Sequence, residues 1–246
     1  MMIMTINGVY LIASIIVSFL GIIITLALIS NSRLKNVLKE TEKMVNSYDV
    51  SKIDFIEQPK KHLNALKRIM DVLSALIIII LWLPVYLICI TLILLESNRK
   101  TSVFVAKSRI GKNGEKFKLY HFNTTHLNKN GVLEVSGIGQ FMRITNLDQL
   151  PEFYNLLKGD ISLVGRSPYV ENPNYANAIK PEIRDILLKM RPGALTLWSV
   201  SSERFEFNLN KMISYDLYYI KHLSIKLDIK IAFKAIIYVF GNPARY

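Results

Sequence analysis

Asp148 is the residue in this chain best placed to do chemistry. It lies in ITNLDQLPEFYNLLKGDISLVGRSP, residues 144–168, where apolar residues at helical spacing follow a polar opening. An acid at a helix start sits beside unpaired backbone N–H groups and the positive end of the helix dipole. The same setting draws phosphate and divalent cations. Arg143 lies just upstream, and Lys158, Arg166 and Arg191 supply further cations in the same region. Such a carboxylate can coordinate magnesium, or attack a phosphorus atom once cations have screened the repulsion between anions. The plainer possibility is that Asp148 only caps the helix, three positions after Thr145 in a variant of the capping box. Its neighbour is Gln149, not a second acid.

The elements that must position Asp148 begin near residue 101 and read as mixed α/β. VFVAKSRIG and EKFKLYHF are short β-like runs joined by KNGE, whose Asn-Gly suits a hairpin. Residues 145–157 read as a helix, and another is expected near 181–190, after Pro181. The last apolar segment, DLYYIKHLSIKLDIKIAFKAIIYVF, carries Lys226, Lys230 and Lys234 at four-residue spacing. That spacing sets three ammonium groups on one helix face. The helix can lie in a lipid headgroup layer with its lysines towards anionic lipid, or pack on its own domain.

Two apolar blocks precede this domain. Val9 to Ile29 carries no charge and is long enough to cross a hydrocarbon core about 30 Å thick. It lacks the basic start and the clear cleavage site of a signal peptide, so residues 1–32 are expected to form a transmembrane helix. Arg33, Lys35, Lys39 and Lys43 follow it and place its C-terminal end in the cytoplasm. Residues 33–66 read as a polar linker or surface helix. The second block, VLSALIIIILWLPVYLICITLILL, covers residues 72–95. Lys67, Arg68 and Asp71 stand before it, Arg99 and Lys100 after it, and Pro84 within it. Proline removes a helix hydrogen bond and clashes with the preceding turn. With basic residues on both flanks, the segment is expected to enter, bend near Pro84 and leave by the same face, the alternative being a kinked spanning helix.

Composition narrows the class further. The chain of 246 residues is 51% hydrophobic although 20% of it is charged, and its formal net charge is +12. The apolar residues must therefore be concentrated in blocks, leaving a basic remainder suited to anionic lipid or nucleotide phosphates. Nucleic-acid binding would explain the charge but not the apolar blocks, and no nucleic-acid motif is present. Cys89 is the only cysteine, which rules out a disulfide framework and a zinc cluster and suits a reducing compartment.

The order of features resembles the bacterial sugar transferases, membrane-bound polyprenyl-phosphate phosphoglycosyl transferases with a re-entrant membrane helix. The resemblance runs from about Lys67 to the C-terminus. It is carried by KRIMD (67–71), by VFVAKSRIGKNGEKFKLYHF (103–122) with Arg109, Gly111 and Gly114, and above all by GQFMRITNLDQLPEFYNLLKGDISLVG (139–165). RPG (191–193), YDLYYI (215–220) and LDIKI (227–231) add to it.

The resemblance implies a mixed, mostly helical α/β domain over residues 67–246, on the cytoplasmic face of the bacterial inner membrane. It implies transfer of a sugar-1-phosphate from a nucleotide diphosphate sugar to polyprenyl phosphate, in glycan or polysaccharide biosynthesis. Asp148 would be the nucleophile and a ligand to magnesium. Arg109, Arg143, Arg166 and Arg191 would handle the substrate, with Lys67, Arg68, Asp71 and Pro84 shaping the membrane helix. A partner glycan-assembly enzyme is a further expectation. Several positions depart from the family pattern. An Asp-Glu pair reads Asp148-Gln149, and Pro-Arg-Pro reads Arg166-Ser167-Pro168. An arginine after the aromatic of YHF reads Asn123. Thr-Gly reads Leu195-Thr196, and Ser-Gly-Arg reads Ser201-Ser202-Glu203. These changes frame a second reading, a catalytically impaired relative acting as a membrane-bound structural or partner-binding protein.

Overall fold

A computed structural model describes residues 61–96, 101–127, 132–170, 179–201 and 208–241. The expected transmembrane helix at Val9 to Ile29, the linker up to residue 60, and Glu203 lie outside the described residues. The chain opens with α1 (Lys61–Glu96), a helix that continues through Pro84. Next come β1 (Phe104–Ile110), β2 (Lys116–Phe122), β3 (Thr125–Leu127), β4 (Leu133–Val135) and α2 (Gly137–Ile144). A 3₁₀ turn at Leu147–Gln149 leads into α3 (Glu152–Lys158), β5 (Ser162–Gly165) and β6 (Tyr169–Val170). Then follow α4 (Pro181–Leu188), β7 (Gly193–Thr196), α5 (Leu209–Lys221) and α6 (Ile225–Gly241). The mixed α/β class is as expected.

The KNGE turn closes the β1–β2 hairpin, with Phe104 opposite Phe122 and Ile110 opposite Lys116. Asn113 and Gly114 both take positive φ, 57° and 82°, a conformation that Asn and Gly tolerate best. Pro181 starts α4, where its missing N–H costs nothing.

Two helical expectations are corrected. Thr145 does not start a helix; it ends α2, its hydroxyl donating to the Phe141 and Met142 carbonyls. Asn146 then turns left-handed at φ 56°, breaking the path before Asp148. The final apolar segment is two helices rather than one. Ser224 separates them, its hydroxyl accepting from the Leu227 N–H, as an N-cap does. Lys226 and Lys230 are exposed while Lys234 is buried, so the three lysines do not share one wet face.

Among the described residues, one helix, α1, is long and apolar enough to cross a membrane. Its middle is bare of protein, with Ile77, Ile80, Leu83 and Leu87 all about half exposed or more. Both ends are docked. Near the start, Ala75 packs with Leu119, Leu156 and Ile161. Near the finish, Cys89 and Ile93 pack with Phe122 and Met142, and Tyr86 meets the Phe122 ring at 4.8 Å. Lys67, Arg68 and Asp71 serve this docking. Lys67 pairs with Asp228, and Arg68 donates to the Leu156 and Leu157 carbonyls at the end of α3. Asp71 is buried and accepts from the Ser162 hydroxyl and the Leu163 N–H.

The main core lies among α5, α6, α4 and the parallel β5–β7 pair, around Tyr215, Leu217, Tyr219, Leu187 and Val164. The glycines of LVG and RPG let these two strands meet. A Cβ on Gly193 would lie 2.1 Å from the Gly165 nitrogen, far inside contact distance. Gly193→Ala is therefore expected to destabilise the fold by about 2–3 kcal/mol or more through overpacking, read as a lowered midpoint in denaturant unfolding in detergent.

Candidate active site

Asp148 sits in the 3₁₀ turn, and the chain stays right-handed through Leu150 (φ −51°, ψ −36°) and Pro151 (φ −63°, ψ −15°) into α3. On such a path residues four apart share a side, which brings the carboxylates of Asp148 and Glu152 to the same place. His121 of β2 meets both. Its Nε2 is 2.9 Å from Glu152 Oε1, and its Nδ1 is 3.8 Å from Asp148 Oδ2. These are charge contacts rather than aligned hydrogen bonds, since neither ring nitrogen has a partner with good hydrogen-bond geometry. Burial pushes the His121 imidazole down, but Asp148 and Glu152 more than offset it, and its pKa lies above the ordinary value.

Asn155 fixes this arrangement from behind. Fully buried, it donates to the Lys118 carbonyl and accepts from the Tyr120 N–H, locking α3 onto β2. Glu152, three residues earlier on α3, is thereby held against His121, one residue beyond Tyr120. Successive side chains of a strand alternate in direction. Phe122 accordingly packs on α1 while His121 turns to the acids, so the site adjoins the apolar helix directly.

Asp148 and Gln149 line a cavity of about 420 Å³ with Lys107, His121, Asn123, Thr124 and Arg143 among its walls. Arg143 is steadied by its Nε donating to the Thr124 hydroxyl. Asp148 Oδ1 is buried with no hydrogen-bond partner. The two cations on the cavity wall, Lys107 and Arg143, suit a polyanionic guest. Among the described residues no cluster of three His, Cys, Asp or Glu exists that could hold a metal by itself. Magnesium usually takes one or two carboxylates plus substrate phosphates. The unpartnered Asp148 oxygen and the Gln149 amide, both on residues lining the cavity, therefore fit an ion that is shared with a diphosphate.

The structure does not bring the other expected arginines here. Arg166 is fully buried, its guanidinium donating to the carbonyls of Met190, Ser167, Ile110 and Gly111. It holds the frame, and could meet an anion only by leaving those bonds. Arg191 lines a separate basic cavity with Lys112, Lys116, Lys118 and Lys158. Arg109 lies on β1, donating to the Ser108 carbonyl. Of the four, Arg143 alone shares the walls with Asp148. His121, Glu152 and Lys107 are the residues that sequence reading did not reach. The four-residue step from Asp148 to Glu152 is the one signal that pointed to any of them.

With this frame in view, the chain belongs to the bacterial sugar transferase family, whose model matches residues 62–242. Among its relatives is the UDP-glucose:undecaprenyl-phosphate glucose-1-phosphate transferase of Klebsiella pneumoniae. It is 29% identical over 227 residues, 86% of this chain and 48% of the relative. The UDP-N-acetylgalactosamine-undecaprenyl-phosphate N-acetylgalactosaminephosphotransferase of Aeromonas hydrophila is 33% identical over 185 residues, 70% of this chain and 43% of the relative. The exopolysaccharide production protein ExoY of Sinorhizobium fredii is 28% identical over 194 residues, 69% of this chain and 83% of the relative. The chain thus spans less than half the length of the first two.

Proposed function

We propose that this chain moves a sugar-1-phosphate from a nucleotide diphosphate sugar to polyprenyl phosphate, as a step in glycan or polysaccharide biosynthesis. One observation carries the reading. Asp148 lines a cavity shared with Lys107 and Arg143, and Phe122 joins that cavity to an apolar helix. An anionic headpiece and a lipid tail would find their two environments side by side.

In the first half-reaction an Asp148 oxygen attacks the sugar-bearing phosphorus of the donor. The bond from that phosphorus to the bridging oxygen breaks, and nucleoside monophosphate leaves with the electron pair. In the second, an oxygen of polyprenyl phosphate attacks the same phosphorus and Asp148 departs as carboxylate. Lys107 and Arg143 screen the approach of anion to anion. Magnesium, when bound by Asp148 with the Gln149 amide oxygen, would add Lewis-acid screening of the diphosphate. The names of the relatives support the substrate classes, and the impaired-relative reading finds no support among them.

The docking of both ends of α1 on one domain supports a re-entrant helix, with the bare middle from Leu76 to Leu83 in lipid. The domain then sits on the cytoplasmic face of the inner membrane, where exposed Lys226 and Lys230 can meet anionic lipid. Tags at Tyr246 and at residue 50 are expected to be reached from the cytoplasmic side alike; opposite sidedness would reject this topology.

The activity test is a panel of nucleotide diphosphate sugars offered to the purified chain in lipid with polyprenyl phosphate and magnesium. Release of nucleoside monophosphate from at least one donor is expected. Silence across the panel overturns the reading.

A further inference from the structure

We infer that Glu152 is the second acid of this site, and that it works as a positioning residue through His121. The inference rests on the reading of Asp148 as the attacking group. Gln149, the sequence neighbour, carries no charge, and its amide leans towards Asn146 Oδ1 at 3.5 Å. Glu152 does what a neighbour at 149 does not. Its carboxylate holds the Nε2 edge of His121 at 2.9 Å, which turns the Nδ1 edge towards one oxygen of Asp148 at 3.8 Å. The other oxygen, Oδ1, is left without a partner. One oxygen is steadied by the ring, and the other carries no hydrogen bond that an attack on phosphorus would have to break.

The arrangement is rigid on both sides. Glu152 stands on the first turn of α3, and His121 near the end of β2, and Asn155 ties those two elements together through the backbone of Lys118 and Tyr120. The side chains of Asp148, His121 and Glu152 are only 13%, 11% and 12% exposed, so bulk water competes little with these contacts. The 3.8 Å separation is loose, and catalytic contacts of this kind commonly tighten when substrate arrives. A nucleophile, a ring against it and a third group orienting the ring share the geometry of a catalytic triad, here used to position a carboxylate that is already ionised. A displacement of the attacking oxygen by about 1 Å costs on the order of 10²-fold in rate, and that is the effect assigned to losing Glu152.

The test is a double-mutant cycle read in kcat and KM for nucleoside monophosphate release, using the full chain in lipid. Glu152→Ala is expected to lower kcat about 100-fold with donor KM little changed. Glu152→Gln keeps the shape but removes the charge that holds the Nε2 edge, so it is expected to recover little of the rate. His121→Ala should match Glu152→Ala, and the double variant should be no worse than either alone, because the two act as a unit. Wild-type kcat in Glu152→Ala, or losses that add in the double variant, overturn the inference. Should Glu152→Ala not fold, the cycle runs with Glu152→Gln and His121→Gln, and additive losses again decide against it. A wild type silent on every donor removes the transferase reading and this inference together. An active wild type with additive variants removes the inference alone.

Discussion

Asp148→Asn is expected to abolish nucleoside monophosphate release, by about 10⁴-fold or more, as removal of a covalent nucleophile does elsewhere. The substitution keeps the volume and one acceptor oxygen, so the 3₁₀ turn and the cavity walls have no reason to move. What it removes is the negative charge and the nucleophilic oxygen. The two half-reactions part company in a mass spectrum: wild type incubated with donor alone should gain the mass of one phosphosugar, and Asp148→Asn should gain none. A variant that retains release within tenfold would make Asp148 a structural turn residue. Gln149→Glu sharpens the result. If the site lacked its second acid, restoring one at 149 would raise turnover. With Glu152 already in place, a third carboxylate adds repulsion against an anionic donor and brings no gain in rate. A clear gain would show that Glu152 does not fill the role.

The parts of this site that could be read from the chain are those set by local chemistry. KNGE dictates its hairpin because Asn and Gly accept left-handed backbone, and Pro181 announces α4 because a first-turn proline loses nothing. Asp148 itself stood out through its company of cations and helix signals. What escaped is set by contacts between distant segments. His121 and Glu152 lie far apart in sequence and meet only because Asn155 binds the backbone of β2. Arg166 is expected at the substrate because it stands beside the place of the family's Pro-Arg-Pro arginine after LVG. Its partners are carbonyls at Ile110, Gly111 and Met190, and carbonyls leave no mark on a sequence. The helix expected over 145–157 is broken for a similar reason. Hydrophobic spacing continues across Asn146, while the break depends on one left-handed residue. Lys67 and Arg68 read as the basic flank of the membrane helix, and their bonds to Asp228 and the end of α3 join segments far apart in the chain.

Arg166→Ala carries the largest expected effect on stability, a loss of about 3–5 kcal/mol, typical of deleting one member of a buried charged network. The guanidinium ties the end of β1, the β5–β6 junction and the RPG segment together through four carbonyls, and stacks over the Tyr169 ring at 4.7 Å. Arg166→Lys is expected to recover little, since one ammonium cannot reach groups arranged for a planar fork. Asp216 makes the effect measurable in a second way. It is buried, accepting from the Ser167 N–H and hydroxyl and the Tyr169 hydroxyl. Burial pushes its carboxyl up to about 6, against the pull of Ser167, Tyr169 and Arg166. A folded-state value above the unfolded one means that the fold holds a proton more tightly than the open chain. This contribution is therefore fully present below about pH 4 and is lost as pH rises through about 6, amounting to at most about 3 kcal/mol. Asp216→Asn should flatten that slope. Arg166→Ala should instead carry it above pH 6, because the carboxyl then loses its nearest cation. Urea unfolding in detergent between pH 4 and pH 8 separates the cases, and a slope unchanged by either variant would remove Asp216 as its source.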